Sequence, residues 1–363
     1  MRILFVLPRM VSGGVERVTL SLVRGFQQSG YECTLALRRA HGEFLDEARS
    51  LCDVHELAPR GLYQFVPNLA RLMRSVEPTH VITAFADVAV LTWVAMRMAR
   101  TKARWVHGVH NTHTPVTARA GGFGRLRFWL DNRAAAFVYR RADRIVAVSH
   151  GVREEIIDEF HVAPEHVAMI YNPVVSDQEL WEVPEPRHDP AGPYYIVALG
   201  RLVREKGFDI LVKAMPRVPG AWRLDIWGGG ADRQMLQALI ADHGLQDRIR
   251  LRGYTGEPFS VLRRADLFVL PSRCEGFGMA LVEALACQCQ VVATDCPYGP
   301  SEILEGGRLG QLVAPEQPDA LGEAITRAAS GRTHIDPAQL LRRAGTFSSA
   351  RSWSAWHSLL SAL

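Results

Sequence analysis

Short apolar runs alternate with segments of helical periodicity along almost the whole chain. In the first such unit, Arg2–Leu7 and Glu32–Leu37 are apolar and short, as buried strands are. Apolar residues between them recur every three or four positions, and Gly30 ends this helical segment. A strand, a helix and a second strand in this order predict a parallel sheet that is buried between helices.

The same alternation continues in two groups of strands, which a proline-rich stretch at Asn172–Gly192 separates. The first group is Arg2–Leu7, Glu32–Leu37, His80–Ala84, Arg104–Val109, Arg144–Val148 and Val167–Tyr171, and the second is Tyr194–Leu199, Arg223–Trp227, Arg248–Leu251, Leu267–Leu270, Val291–Thr294 and Gly310–Val313. We therefore predict an α/β protein with two doubly wound, parallel-sheet domains, 1–178 and 179–349. Sheets of this kind bind ligands in the loops that follow the carboxyl ends of their strands.

Composition excludes several classes of protein. Hydrophobic residues make up 48% and charged residues 22% of the 363 residues, which is ordinary for a soluble globular protein and not for a disordered chain or a coiled coil. The six cysteines are too few for a disulfide scaffold and show no Cys-x-x-Cys spacing, so we expect buried thiols in a reducing cytoplasm. The longest nearly apolar stretch, Ala84–Met96, is shorter than the ~20 residues of a membrane-spanning helix. We interpret Met1–Pro8 as a strand and not as a signal peptide.

Charge is distributed unevenly between the two halves. Residues 1–150 carry 21 Lys and Arg against 11 Asp and Glu, a net charge of +10, whereas residues 151–363 carry 21 against 27, a net charge of −6. This asymmetry predicts that the first half meets something anionic, either nucleic acid or a membrane surface.

Two loops that follow predicted strands are suited to bind phosphate. Gly13 and Gly14 precede the first helix, where backbone N–H groups and the helix dipole favour an anion, although a tight structural turn has the same signature. Arg201, Arg204 and Lys206 follow the strand Tyr194–Leu199, and cations at this position suit a diphosphate. The alternative is a solvated loop, and Arg204 fits that alternative best.

A third glycine cluster, Gly228–Gly230, lacks the remaining glycine of a dinucleotide fingerprint and does not predict a nicotinamide site. The segment Ser272–Glu283 is more informative. Glu275 lies in its loop, and an apolar helix begins at Met279 with its free N–H groups directed towards the same place. Glu283 lies one turn inside that helix, where it can bind the hydroxyl groups of a ribose or form a structural ion pair.

Taken in order along the chain, these motifs resemble those of family 4 of the retaining glycosyltransferases. The resemblance covers nearly the whole chain and rests on Gly13-Gly14, Val146-Ala147-Val148-Ser149, Asn172-Pro173, Gly200-Arg201-Leu202, Glu205-Lys206-Gly207, and Glu275 with Glu283 as the family's E-x7-E. It implies the GT-B architecture, in which two Rossmann-like domains face each other across a central cleft and a C-terminal helix, here 350–363, returns to the first domain. The sequence is similar in particular to the subgroup that builds bacterial surface polysaccharide, lipopolysaccharide and lipid-linked oligosaccharide.

The resemblance also implies roles for individual residues. Arg201 and Lys206 would hold the donor diphosphate, Glu275 would contact the transferred sugar and Glu283 would bind the donor ribose. His110 matches the active-site histidine of the family, although His107 and His113 stand close to it in the sequence. The remaining donor-binding positions are Gly13, Gly14, Gly200, Gly228, Gly276, Phe277, Gly278, Met279 and Ala280. No Asp-x-Asp metal motif stands in a suitable loop, and the resemblance implies no cofactor and no metal.

The segment Arg119–Arg144 interleaves arginines with aromatic residues, a pattern that suits a peripheral membrane face or an acceptor site. The alternative is a solvated helix, and no recognition module for RNA is visible. The residues that we assign to this acceptor or membrane surface are Arg119, Arg125, Arg127, Trp129, Arg140 and Arg141.

The resemblance implies a metal-independent, retaining glycosyltransferase, and the basic first half leads us to expect it at the inner face of the cytoplasmic membrane. We expect it to move a hexose or N-acetylhexosamine from a UDP-sugar to a glycolipid or lipid-linked saccharide. The alternatives are a GT-B sugar-nucleotide epimerase or hydrolase, and a nucleotide-sugar-binding protein without catalytic activity.

Overall fold

The computed structural model describes residues 1–11, 13–112, 122–181, 192–332 and 334–363, without the side chains of residues 122–127, 177 and 181. The chain forms two compact units, one built from Met1–Pro173 with Ser349–Leu363 and the other from Val174–Ser348. The first unit therefore ends at Pro173, five residues before the boundary that the sequence analysis places at 178.

The first unit is a seven-stranded parallel sheet in the order β3-β2-β1-β4-β5-β6-β7. Its strands are β1 (Arg2–Leu7), β2 (Glu32–Leu37), β3 (Asp53–Glu56), β4 (His80–Thr83), β5 (Arg104–Val109), β6 (Arg144–Ala147) and β7 (Val167–Met169). Its helices are α1 (Gly14–Gln28), α2 (Leu45–Leu51), α3 (Phe65–Val76), α4 (Ala86–Ala99), α5 (Gly122–Tyr139), α6 (His150–Phe160) and α15 (Ser349–Ser361).

The second unit is a six-stranded parallel sheet in the order β10-β9-β8-β11-β12-β13. Its strands are β8 (Tyr194–Leu199), β9 (Trp222–Trp227), β10 (Ile249–Gly253), β11 (Leu267–Leu270), β12 (Gln290–Thr294) and β13 (Gln311–Val313). Its helices are α7 (Asp177–Trp181), α8 (Phe208–Ala214), α9 (Arg233–Asp242), α10 (Pro258–Leu262), α11 (Met279–Ala286), α12 (Pro300–Ile303), α13 (Pro318–Ala329) and α14 (Pro337–Ala344).

The predicted fold class, two doubly wound parallel-sheet domains, is confirmed. One strand was absent from the prediction: β3, whose sequence Asp-Val-His-Glu is polar and mostly exposed. An edge strand pairs on one side only and buries little surface, so no apolar run marks it in the sequence. Central strands such as β1 and β8 are buried along nearly their whole length, which explains why their bounds are predicted to the residue.

The C-terminal helix α15 packs on α1. The ring of Trp356 meets Phe26 edge to face, with 6.5 Å between the ring centroids, and the hydroxyl of Ser352 donates to the Tyr171 carbonyl at 2.8 Å. The indole of Trp353 lies against Gly25, where the Cβ of any other residue would overlap it. The helix therefore belongs to the first unit although its sequence follows the second.

Candidate functional site

The loops at the carboxyl edge of the second sheet are joined through their backbones. The Gly200 N–H, after β8, donates to the Trp227 carbonyl at 3.0 Å, and the Leu202 N–H donates to the Gly229 carbonyl at 2.8 Å. Gly228 has φ +142°, and a Cβ there would overlap the carbonyl oxygen of Gly200. Glycine is therefore needed at this position to let the loops after β8 and β9 touch.

Lys206 and Glu275 come together at this edge although 69 residues separate them. The Lys206 ammonium lies 2.6 Å from Oε1 of Glu275, and the two side chains are 22% and 7% exposed. The Ser272 hydroxyl donates to the same carboxylate oxygen at 2.7 Å. Such charge-assisted hydrogen bonds are short and strong, so both side chains are held in defined positions before any ligand arrives.

The loop of Glu275 is fixed on its other side by the loop after β12. The Glu275 N–H donates to the Pro297 carbonyl at 2.7 Å, and the Tyr298 N–H donates to the Glu275 carbonyl at 2.6 Å. The backbone N–H and the carbonyl of Glu275 are thus both hydrogen-bonded to the loop after β12, which fixes the backbone that carries the carboxylate.

Arg201 differs from Lys206 in its surroundings. It lies in the same loop but is exposed, and within the described part of the chain its guanidinium forms no hydrogen bond or ion pair. An arginine fork without a protein partner, next to a paired lysine, is the natural first contact for a phosphate.

The helix α11 begins at the same edge. Gly278, its N-cap, has φ +103°, a left-handed conformation that favours glycine, and the N–H groups of the first two residues, Met279 and Ala280, have no acceptor within the helix. The N–H groups of Met279 and Ala280 are therefore available to an anion. Glu283 lies four residues into the helix and is 4% exposed, and its role in ribose binding stays a prediction.

Phe277 and Gly276 play a supporting part in this loop. The Phe277 side chain is 3% exposed and meets the Phe347 ring edge to face at 5.3 Å, so it packs into the core. Gly276 is buried as well. The assignment of Phe277 and Gly276 to donor binding stays a prediction.

In the first unit, Gly13 is the N-cap of α1 and Gly14 is its first residue. The carboxylate of Glu16 folds back against Gly13, where a Cβ would overlap it, and Glu16 is 5% exposed. A negative group thus already faces the positive end of this helix. The N-terminus of α1 is a weaker anion site than that of α11.

His110 follows β5 and forms a side-chain hydrogen bond with Asn172. Burial lowers the pKa of His110 to about 4 and outweighs the Asn172 bond, which acts in the opposite direction. The imidazole is therefore neutral at pH 7 and acts through hydrogen bonds, not through charge. It lines a small cavity of about 10 Å³ with Thr83 and Ala84.

The neighbouring histidines are not equivalent to His110. His107 is 3% exposed and its Nδ1 lies 2.9 Å from the Thr83 hydroxyl inside the sheet, so it is part of the core. His113 lies outside the described residues. Of the described histidines in this segment, His110 is thus the one that stands at the end of a strand.

The arginine-rich segment does not form a single cluster. Arg119 and the side chains of Arg125 and Arg127 lie outside the described residues. The Trp129 ring is 52% exposed, with the Arg133 guanidinium 4.8 Å from its centroid. Arg140 and Arg141 follow the end of α5 at the amino edge of the sheet and line a cavity of about 470 Å³, together with Arg104, Arg144 and His166.

Asn172 and Arg273 are two buried residues whose partners the local sequence does not reveal. Asn172 is 6% exposed and holds His110. Arg273 is 8% exposed and binds both carboxylate oxygens of Asp209, at 2.7 and 2.8 Å. Both belong to motifs that the sequence analysis quoted, but their partners are 62 and 64 positions away, so no local pattern could identify them.

The described residues contain neither a metal-binding cluster nor a membrane-spanning helix. Within these ranges, no cluster of three or more His, Cys, Asp and Glu side chains could hold a metal ion. No helix in the described part of the chain is long and apolar enough to cross a membrane.

Comparison with known proteins adds the family. Residues 12–178 match the model for Glycosyltransferase Family 4, and residues 181–345 match the model for Glycosyl transferases group 1. The chain is 27% identical over 332 residues to lipopolysaccharide 1,6-galactosyltransferase of Salmonella typhimurium, an alignment that covers 88% of this chain and 87% of that protein.

Solved structures share the fold over the whole chain. The crystal structure of Anabaena HepE in complex with UDP-glucose superimposes with a TM-score of 0.85 at 19% identity, and both chains are covered completely. The lipopolysaccharide outer core galactosyltransferase WaaB, in its apo form, superimposes with a TM-score of 0.77 at 21% identity, again over both complete chains. With both units matched by family models in the expected order, the chain belongs to the family 4 glycosyltransferases and has their GT-B fold.

Proposed function

We propose that this glycosyltransferase takes a UDP-sugar as donor, retains the anomeric configuration and needs no metal ion. The observation that carries the proposal is the contact between Lys206 and Glu275 at 2.6 Å. This contact supports the proposal because a cation that suits a diphosphate and a carboxylate that suits sugar hydroxyls lie together at the carboxyl edge of a parallel sheet, where such folds bind ligands.

The donor class is supported by the fold neighbours. HepE has been crystallised with UDP and with UDP-glucose. In this chain, Arg201, Lys206 and the first turn of α11 supply the positive groups that a nucleoside diphosphate requires. These groups carry out the charge neutralisation for which other transferases use a divalent ion, and this supports a metal-independent mechanism.

The transfer step follows from where charge develops. The bond between the anomeric carbon and the diphosphate oxygen breaks, and the electron pair leaves with the diphosphate. The acceptor hydroxyl oxygen bonds to the anomeric carbon on the face from which the diphosphate departs, and its proton passes to a diphosphate oxygen. Arg201, Lys206 and the α11 N–H groups stabilise the departing charge more in the transition state than in the ground state.

The acceptor is proposed to be a glycolipid or a lipid-linked saccharide of the cell envelope. The full-length relative in Salmonella is named for lipopolysaccharide. A Campylobacter jejuni relative, 27% identical over 194 residues that cover 52% of each chain, is named for a diphospho-undecaprenol acceptor. Both names describe a saccharide carried by a lipid, which supports this acceptor class.

Thermal unfolding in the presence of a panel of nucleotide sugars tests the proposal, because a ligand that binds only the folded state raises the midpoint by mass action. We expect UDP-sugars to raise it and GDP-, ADP- and CMP-sugars to raise it less. Product analysis then separates the alternatives. An epimerase or hydrolase converts the donor without an acceptor, and a binding protein leaves it unchanged.

We also propose that the first unit docks reversibly on the inner face of the cytoplasmic membrane. Trp129 and Leu130 are each 52% exposed on α5, and the helix ends at the Arg140 and Arg141 pair. Trp129 precedes Arg140 by 11 residues, roughly 16 Å along a helix, so α5 would lie along the surface with apolar and cationic contacts at different points.

Vesicle co-sedimentation tests this docking. Each basic residue near an anionic surface contributes about 1 kcal/mol, and this attraction fades as salt shortens the ~10 Å screening length. We expect anionic vesicles to bind more protein than neutral ones, and Arg140→Glu with Arg141→Glu to reduce the difference. The same charge change in the other unit, Arg332→Glu with Arg342→Glu, is the matched control. Equal binding to both kinds of vesicle would contradict the proposal.

A further inference from the structure

We propose that Arg273 is a positioning residue of the transfer reaction. It holds the loop that carries Lys206 against the loop that carries Glu275, and so maintains the contact between these two side chains. The inference rests on the glycosyl transfer proposed above and adds a residue that does not itself touch the substrate.

Arg273 binds the loop after β8 with both its backbone and its side chain. Its N–H donates to the Glu205 carbonyl at 2.8 Å, and its Nη1 donates to the Arg204 carbonyl at 2.7 Å. These two carbonyls belong to the residues that directly precede Lys206. Arg273 thereby fixes the backbone from which the Lys206 side chain starts.

The guanidinium also binds the chain on the other side of Lys206. Nη1 and Nη2 donate to the two carboxylate oxygens of Asp209, on the first turn of α8, at 2.7 and 2.8 Å. Bidentate pairs of this kind fix direction as well as distance. Lys206 is therefore bracketed in sequence by two anchor points, one before it and one after it, on the same arginine.

The remaining donors of Arg273 go to Glu316. Nη2 donates to one carboxylate oxygen at 3.2 Å and Nε donates to the other. A guanidinium has five N–H groups, and all five are used by Arg204, Asp209 and Glu316. With no donor left for a substrate, Arg273 can influence the reaction only through the residues that it positions.

The charges of this cluster keep it ionised. Burial alone raises the pKa of Asp209, but the hydrogen bonds and charge of Arg273 outweigh burial and lower it. The Asp209 hydrogen bonds raise the pKa of Arg273, against the opposing effect of burial. Removal of the guanidinium would leave the Asp209 and Glu316 carboxylates close together without the cation between them, and α8 would lose its side-chain link to the Glu275 loop.

Arg273 and Glu275 lie on one short loop. Ser272, next to Arg273, donates to Glu275, and Gly207, next to Lys206, has φ +64° and lies so close to the Pro271 carbonyl that a Cβ would overlap it. The two loops are thus interlocked at their backbones and clamped by the Arg273 side chain. A small displacement at the clamp would be passed directly to the Lys206–Glu275 contact.

A purely stabilising role for Arg273 is the alternative, and a double-mutant cycle with Lys206 separates the two. Arg273→Lys keeps the charge but loses the planar fork, Arg273→Met removes the charge, and Asp209→Asn removes the anchor without altering Arg273. Arg343→Met is the matched control. That arginine is 16% exposed in the same unit and binds the Ile303 and Glu302 carbonyls and the Glu305 carboxylate.

We expect Arg273→Lys to lower kcat by about 10- to 100-fold while KM for the donor changes by less than about threefold, because displaced groups lose transition-state contacts first. In the Lys206→Ala background the same change should lower kcat by less than about threefold, since residues that act through one another are not additive. Arg343→Met should lower the unfolding midpoint by about as much as Arg273→Lys does, but its kcat should stay within about threefold of the wild-type value.

Two outcomes would overturn the positioning role and leave the glycosyl transfer intact. In the first, Arg273→Lys lowers kcat by the same factor in the wild-type and the Lys206→Ala backgrounds. In the second, Arg273→Lys and Arg343→Met lower kcat by similar factors for similar losses of unfolding midpoint. If the wild-type chain transfers no sugar from any nucleotide donor, the proposed function fails instead. In that case the coupling of Arg273 to Lys206 is measured from the rise of the unfolding midpoint that UDP causes in the wild type, the two single variants and the double variant. If the two substitutions reduce this rise additively, the positioning role is overturned as well.

Discussion

The two carboxyl edges that carry the candidate site residues are built from opposite chemistry. At the second sheet, charged side chains meet at short distance, with Lys206, Glu275 and Arg273 all in ion pairs. At the first sheet, the corresponding residues are the neutral pair His110 and Asn172 and a glycine turn. One edge is held by charge-assisted hydrogen bonds and the other by burial.

The charge at each edge does not follow the net charge of the half of the chain that carries it. Residues 151–363 carry −6 overall, yet their cations concentrate at the candidate donor site. Residues 1–150 carry a net charge of +10. Four of their described arginines lie away from His110, around a cavity at the amino edge of the sheet: Arg104, Arg140, Arg141 and Arg144. Net charge therefore indicates what a half of the chain attracts, but not where its site lies.

The largest effect should come from the charged edge. We expect Lys206→Ala to lower kcat by about 10²–10³, as the loss of one preorganised transition-state contact does. Lys102→Ala is the matched control, because that lysine is exposed before β5 in the other unit. Near-normal turnover of a folded Lys206→Ala variant, with Arg201→Ala added, would remove the two cations from the mechanism.

A substitution at the interlock between the loops should have the next largest effect. Gly207→Ala places a Cβ into the Pro271 carbonyl at a φ of +64°, so we expect a lower unfolding midpoint and a fall in kcat of about tenfold. Gly220→Ala separates the two causes, because Gly220 has φ +80° with open space around it. It should show only the loss of stability that the strained backbone causes, about 1–2 kcal/mol in the free energy of unfolding, with unchanged kcat. Equal kcat in both variants would mean that the interlock does not position the site.

The same contrast explains how far the sequence reaches. Central strands and the loops after them are marked by apolar runs and glycine clusters, so the edge that carries Lys206, Glu275 and Gly278 could be located from local pattern. The polar edge strand β3 carries no such pattern and was not predicted. Local sequence therefore identifies buried elements and their loops, and misses elements that bury little.

Partners across the fold are beyond the same reasoning. Arg273 binds Asp209 and Glu316, and His110 binds Asn172, through contacts that only the folded topology creates. The sequence places the arginines of α5 in one interleaved segment, but a helix of 18 residues separates its ends, so the segment forms more than one surface. Proximity in sequence predicts proximity in space only within about one helical turn.

Glu283 should give a smaller and more selective effect. If it binds the donor ribose, Glu283→Gln should raise KM for the donor by about tenfold and leave kcat within about threefold, because this contact changes little as the sugar departs. Glu323→Gln, on the exposed face of α13, controls for the change of charge. Loss of turnover at saturating donor would show instead that Glu283 acts in the transition state.

The neutral edge should reveal itself through pH. Because burial lowers the pKa of His110 to about 4, the unfolded chain takes up a proton at this residue near pH 6.5 while the folded chain does not. Its contribution to stability is therefore intact above pH 6.5 and falls as the pH drops from 6.5 towards 4, by at most about 1.4 kcal/mol per pH unit for one proton. His110→Gln, which cannot titrate, should flatten the dependence of the unfolding midpoint on pH in this range. His243→Gln, at an exposed position of the other unit, should leave it unchanged. An unaltered pH profile in His110→Gln would mean that the histidine is solvated, and the comparison between a charged and a buried neutral edge would then no longer hold.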